Sequence, residues 1–177
     1  MNFGFSIYGT WWFSLIYLIF AYGLWFIFPK YILIRFSKVP YIRYISSIYK
    51  YSYILLLLLT IFVPFKFDIP FYVGVISYTF GLSIYIIAIF YFSINEINLP
   101  VTSGIYKYLG HPVYIGFFFI SIGISLISGN ILILILSLII AYCSYRIALE
   151  EEKECIKLYG QEYIDYKNSS VFFIAKK

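Results

Sequence analysis

The chain has 177 residues, of which 63% are hydrophobic, 24% aromatic and only 12% charged, with a mean hydropathy of +0.90. A soluble domain carries about 25% charged residues, so this composition excludes a soluble enzyme, a disordered tail and a nucleic-acid-binding module. At about 20 apolar residues per crossing, the length accommodates about four to six membrane spans, and the net charge of +5 needs no anionic partner if the bases are sorted to one membrane face.

In chain order, the first apolar run covers residues 10–28, with Trp11, Trp12 and Trp25 near its ends, where amphipathic rings prefer to sit. No Lys or Arg precedes Pro29, unlike a secretory signal, so this run is expected to be retained as a span. The stretch Lys30–Lys50 contains five bases and no carboxylate and reads as a surface loop. Further spans are expected over 51–65, 71–92, 112–128 and 131–145. Ser128, Gly129 and Asn130 supply a turn that makes the last two a tight antiparallel hairpin. Small residues at Ser121, Ser125, Gly129, Ser137 and Ala141 suit close packing of helix backbones. The expected fold is thus all-α, a single polytopic membrane domain over 1–177 with about five transmembrane helices.

Five spans place the termini on opposite sides. One side then collects Lys30, Arg35, Lys38, Arg43, Lys50, Lys107, Arg146, Lys153, Lys157, Lys167, Lys176 and Lys177, and the other keeps only Lys66. The positive-inside rule makes the first side cytoplasmic and the N-terminus external. The polar segments 93–116 and 146–167 then share the cytoplasmic face, so a site is expected there. No internal repeat is evident, and intramembrane charge is scarce, which argues against a transporter or an ion pathway.

Two constellations carry chemistry. The first is VTSGIYKYLGHPVYIG, Val101 to Gly116, which brings the only histidine to the mouth of the fourth span. Pro112 suits a first helical turn, so His111 is expected at a helix N-terminus, where unpaired N–H groups and the helix dipole favour acceptor-rich ligands. The second is RIALEEEKECIKLYGQEYIDYK, Arg146 to Lys167. Three adjacent residues on a helix spread over about 200°, so at least one of Glu150, Glu151 and Glu152 should point back toward the first constellation. Taken singly, each feature has a plainer reading: a helix-capping histidine, a solvated glutamate face. Cys143 and Cys155 show no metal or disulfide spacing, one histidine makes a protein-only metal site improbable, and no GxGxxG, P-loop, HExxH or GxSxG motif is present.

Together, VTSGIY at 101–106, HPVYIG at 111–116, EEE at 150–152 and YGQEYIDY at 159–166 resemble the isoprenylcysteine carboxyl methyltransferases, integral-membrane enzymes related to the phospholipid N-methyltransferases. The likeness covers about the last 75 residues, and the first 90 match only as apolar spans. The resemblance implies an S-adenosylmethionine-dependent enzyme with a cofactor pocket lined by Val101, Gly104, Tyr106, His111, Pro112, Tyr114 and the glutamates. Counting from Arg146 selects Glu150 and Glu151 as the family's pair, whereas counting back from Gly160 selects Glu151 and Glu152. The family's Arg before His-Pro is Gly110 here, and its Arg-x-Pro ending is replaced by NSSVFFIAKK.

The implied reaction is methylation of a carboxylate on a prenylated cysteine or similar lipid-linked acceptor. An α-carboxyl, with a pKa of about 3.3–3.7, is already ionised near neutrality and needs no base. Arg146 is the candidate fork for that carboxylate. An amine acceptor, as in phospholipid N-methylation, would instead use His111 or a glutamate as base. A noncatalytic lipid-binding scaffold is the alternative from another class. The expected setting is a plasma membrane in a prokaryote or the endoplasmic reticulum in a eukaryote, with membrane lipids as partners. The tail VFFI, 171–174, is expected to pack on the protein or lie in the membrane interface.

Overall fold

The computed structural model describes residues 9–27, 42–96 and 99–169, together with all their side chains except that of Trp25. The basic stretch 30–41, the tail 171–174 and the side chain of Trp25 lie outside the described residues. Among the described residues, six α-helices follow in order: α1 (Trp11–Ile27), α2 (Arg43–Phe62), α3 (Ile69–Ile94), α4 (Pro112–Ser128), α5 (Ile131–Tyr159) and α6 (Gln161–Ser169). A 3-10 turn, Gly104–Lys107, lies between α3 and α4. Among the described residues there is no sheet, only a lone bridge between Gly9 and Pro64.

Three helices, α2, α3 and α5, are long and apolar enough to cross a membrane by length and composition, while Trp11–Leu24 and Pro112–Ser128 are shorter apolar helices. Outward-facing side chains such as Ile19, Leu58, Ile76 and Leu138 are exposed and apolar, a surface suited to hydrocarbon. The chain is an all-α polytopic membrane protein.

Alternating directions follow from the contacts. Thr10 Oγ1 donates to the carbonyls of Thr60 (3.1 Å) and Val63 (2.9 Å), so the start of α1 lies beside the end of α2. The Tyr78 hydroxyl donates to the Phe13 carbonyl (2.7 Å), setting α3 parallel to α1. The α4–α5 hairpin closes through Gly129 at φ +56° and Asn130, whose Oδ1 accepts from the N–H groups of Leu132 (2.9 Å) and Ile133 (3.3 Å). Within it, Ser137 Oγ donates to the Ser121 carbonyl (3.0 Å), one of the small-residue contacts expected from sequence.

The tightest approach is elsewhere, between α3 and α4. A Cβ added at Gly81 would lie 2.6 Å from the Gly116 oxygen, and one at Gly74 would lie 2.8 Å from the Gly123 oxygen. The glycines repeat at a spacing of seven on each helix, which returns them to one face of a helix. Antiparallel pairing then sets 74 against 123 and 81 against 116. With no side chain at these positions backbone meets backbone, a packing device suited to a bundle where lipid tails are as apolar as the core.

The boundary of the second span is corrected. Arg43–Lys50, expected as surface loop, is the first two turns of α2. Bases at a helix N-terminus oppose the dipole, so local signals favoured a loop. Packing overrides them, because Tyr49 lies against the Phe117 ring at 6.2 Å and Ile45 and Ile48 lie beside α5. The helix of the last span continues past 145 to Tyr159, so the glutamate triplet stands on it, as expected from sequence.

Replacing Gly81 by Ala should lower stability by about 1–3 kcal/mol through overpacking against fixed backbone. Gly23→Ala, where a Cβ meets nothing within 4 Å, should be neutral or stabilising, and thermal unfolding in detergent reads both.

Candidate active site

The loop entering α4 is shaped by one required glycine. Gly104 sits at φ +59°, and a Cβ there would lie 2.4 Å from the Tyr91 ring, so only glycine lets the turn close over the end of α3. That turn buries Val101 and Tyr106 against Ala88 and Phe92. His111 follows as the residue preceding Pro112. Its side chain makes no capping hydrogen bond but reaches across to α5. Sequence placed this histidine at the helix mouth, and the structure turns its ring to the neighbouring helix.

There His111 Nδ1 lies 3.6 Å from Glu151 Oε2, and Nε2 lies 3.7 Å from Glu152 Oε1. The Tyr114 hydroxyl donates to Glu151 Oε1 (2.5 Å), and Lys167 Nζ on α6 pairs with Glu152 Oε2 (2.7 Å). His111 and Glu152 are 7% and 6% exposed, so their charges must be compensated within the protein. Two carboxylates face one ammonium and one imidazole, and the group is neutral when the imidazole is protonated.

These contacts shift the pKa values of His111 and Glu152. Burial alone would lower the pKa of His111, but the adjacent carboxylates of Glu151 and Glu152 outweigh it and raise the pKa above the ordinary value. Burial would raise the pKa of Glu152, yet the neighbouring His111 ring and the Lys167 ammonium outweigh it and hold the carboxyl below its usual range.

Beside this group opens a cavity of about 150 Å³. Val101, Tyr106 and Gly110 line one wall, and His111, Pro112 and Tyr114 continue it along α4. Opposite stand Glu151, Glu154, Cys155 and Tyr159 of α5, with Tyr163 and Tyr166 of α6. Gly160, at φ +57° and ψ −131°, turns the chain so that α6 folds back. The Tyr166 hydroxyl then donates to the Tyr106 carbonyl (2.8 Å), tying α6 to the loop. Burial, with the Glu151 charge next, pushes the Cys155 thiol up to about 11, so it stands as a neutral wall group.

Of the residues singled out from sequence, Val101, Tyr106, His111, Pro112, Tyr114 and Glu151 line this cavity. Gly104 shapes the loop beneath it. Glu152 holds His111 from behind, whereas Glu150 pairs with Lys153 (2.6 Å) on the outer face. Arg146 does not line the cavity; its Nη1 donates to the Tyr142 hydroxyl (3.1 Å) on an exposed face. Lys167, Tyr163 and Tyr166 were not singled out. The signal for the tyrosines was the spacing of YGQEYIDY, and for Lys167 its position one residue beyond that motif.

A family-model match covers most of this same region. Residues 82–162 match the family model for phospholipid methyltransferases. The chain is 40% identical over 73 residues to the protein-S-isoprenylcysteine O-methyltransferase of Saccharomyces cerevisiae, covering 40% of this chain and 30% of that one. It is 37% identical over 75 residues to the Schizosaccharomyces pombe protein of the same name, covering 41% and 31%. With the Mus musculus protein it shares 34% over 74 residues, covering 41% and 26%. The matched stretch thus spans less than a third of these relatives' length. No solved structure matches the chain.

A pH dependence of stability follows. With its pKa raised on folding, His111 contributes stability that is complete below its unfolded value of about 6.5 and is lost as the pH rises through the folded value. Glu152, with its pKa lowered, contributes above its unfolded value, and that contribution is lost as the pH falls through the folded one. The unfolding midpoint in detergent should therefore decline as the pH climbs past about 6.5, and His111→Gln should flatten that decline. At pH 7, Glu152→Gln should cost about 1–3 kcal/mol by leaving its partners without a carboxylate, against less than about 0.5 kcal/mol for Glu150→Gln on the exposed face.

Proposed function

We propose that the chain is an S-adenosylmethionine-dependent membrane methyltransferase acting on a carboxylate of a lipid-linked or prenylated acceptor. The observation that carries this is the cavity at the mouth of α4, where Glu151, held by Tyr114 and His111, faces tyrosine rings within the stretch matched by the methyltransferase family model. The names of the relatives, protein-S-isoprenylcysteine O-methyltransferase, support a prenylated cysteine as acceptor.

The residues present fit the cofactor's chemistry. A carboxylate oriented by Tyr114 suits an ammonium or ribose hydroxyls, and the faces of Tyr106, Tyr163 and Tyr166 suit a sulfonium cation and an adenine ring. When bound, S-adenosylmethionine supplies an electrophilic methyl group. Val101 and Pro112 close the walls with apolar surface that excludes water, which strengthens every electrostatic contact inside.

The charge state of His111 bears on the acceptor. An imidazole between two carboxylates, its pKa raised above the ordinary value, keeps its proton over a wider pH range and is less available as a general base. A carboxylate acceptor, already ionised, requires none, while an amine acceptor requires one. The description of the matched family model as phospholipid methyltransferase favours the second reading, an amine acceptor. Product chemistry separates the two, because a methyl ester is labile to base and an N-methyl group is not. In this reading all five apolar helices, α1 to α5, cross the bilayer. The end that carries the cavity is cytoplasmic and the N-terminus is external, in keeping with the sorting of bases along the chain. Arg146, on the outer face of α5 beside Tyr142, then stands at the membrane boundary, where an acceptor's carboxylate would approach.

Calorimetric titration of S-adenosylhomocysteine into detergent-solubilised protein should show saturable binding. Glu151→Gln should weaken it by about tenfold or more, the loss of one charge-assisted hydrogen bond. Glu154→Gln should weaken it less, since Glu154 is engaged by Lys157 (2.6 Å). Absence of binding to folded protein would overturn the enzymatic reading in favour of a noncatalytic membrane protein.

A further inference from the structure

The cavity wall depends on a residue that does not touch the cavity. Glu152 faces away from it and is buried, and its neighbours from every packed element can be named. His111 comes from the mouth of α4, Lys167 and Tyr163 from α6, and Glu151 and Cys155 from its own helix. Of these, only His111 and Lys167 supply positive charge, and Lys167 makes the shorter contact, 2.7 Å against 3.7 Å. Lys167 arrives there because Gly160 reverses the chain and Tyr166 anchors α6 on the Tyr106 carbonyl. A continuous series of polar contacts thus runs from Lys167 through Glu152, His111 and Glu151 to Tyr114, and its last three members line the cavity.

We propose that Lys167 is a positioning residue: from α6 it pins Glu152 against His111, and thereby sets the orientation of the His111–Glu151 pair that faces the ligand and the proton occupancy of His111. The consequence for binding rests on the proposed S-adenosylmethionine site, but the coupling itself does not. The sign of the effect follows from electrostatics. Lys167 competes with the His111 proton for the charge of Glu152. Removing the cation makes protonation easier at both His111 and Glu152. Replacement by Arg keeps a charge at that place and should keep the coupling.

The chain contains one histidine, so isotope-labelled histidine gives a single NMR titration curve in detergent. The His111 pKa is expected to rise in Lys167→Met relative to wild type and to return toward wild type in Lys167→Arg. An unchanged curve in Lys167→Met, with the fold intact by circular dichroism, would overturn the proposal. If that variant does not fold, Tyr166→Phe, which loosens α6 without removing a charge, replaces it. A raised His111 pKa there supports the proposal, and an unchanged one contradicts it.

Calorimetry with S-adenosylhomocysteine supplies the second readout. A protonated His111 competes with a ligand's positive charge for Glu151. Lys167→Met should therefore bind more weakly than wild type by up to about tenfold at pH 6, the change expected for a shift of one pKa unit, and by less at pH 8. A loss of equal size at both pH values would mean a merely structural role and would overturn the proposal. Failure of wild type to bind would refute the cofactor reading, and the NMR titration would still decide whether Lys167 governs His111.

Discussion

A carboxylate at the end of an apolar helix bundle must be neutralised by partners delivered from other parts of the chain, and Glu152 imposes that demand here. It is nearly fully buried, and an unpaired charge in such a place costs several kcal/mol. His111 meets the demand from the mouth of α4, and Lys167 meets it from α6. Both partners must therefore be brought to the same end of the bundle as α5. The antiparallel α4–α5 hairpin does this for the first, and the Gly160 turn does it for the second. Once both are in place, His111 is available on its other side to Glu151, and the cavity wall follows.

The glycine contacts between α3 and α4 serve the same end. Backbone contact at Gly81 and Gly116 fixes α4 against α3, and the loop between them must then fold tightly over the end of α3. The left-handed Gly104 against Tyr91 is where that tightness is felt. Val101 and Tyr106 are buried as a result, and the Tyr106 carbonyl becomes the anchor for Tyr166. Helix packing deep in the bundle is thereby linked, contact by contact, to the position of α6 over the cavity.

Much of this was legible in the sequence because apolar length and turn chemistry are local. The hairpin from Pro112 to Tyr145 was readable from Pro112, the Ser128–Gly129–Asn130 turn and the hydrophobic runs on either side. The start of α2 was not, since Arg43 in its first turn opposes a helix N-terminus and the packing of Ile45, Ile48 and Tyr49 against other helices, which supports the helix there, is not a local property. The glycines at 74, 81, 116 and 123 were also missed. Their sevenfold spacing is visible within each helix, but the pairing of two helices is not a local property. At the site, His111, Tyr114 and the glutamate triplet stood out by residue type and order. The direction each glutamate points depends on tertiary contacts. Glu150 turns to Lys153 and Glu152 to Lys167, and Arg146 turns to Tyr142 rather than into the cavity.

The cavity between the α4 mouth and α6 is the proposed site of the methyl donor. Photocrosslinking with radiolabelled S-adenosylmethionine, followed by peptide mapping, tests it most directly. Label is expected on peptides containing 100–114 or 151–166, and excess unlabelled S-adenosylhomocysteine should suppress it. Label confined to the first 90 residues, or undiminished by the competitor, would contradict it.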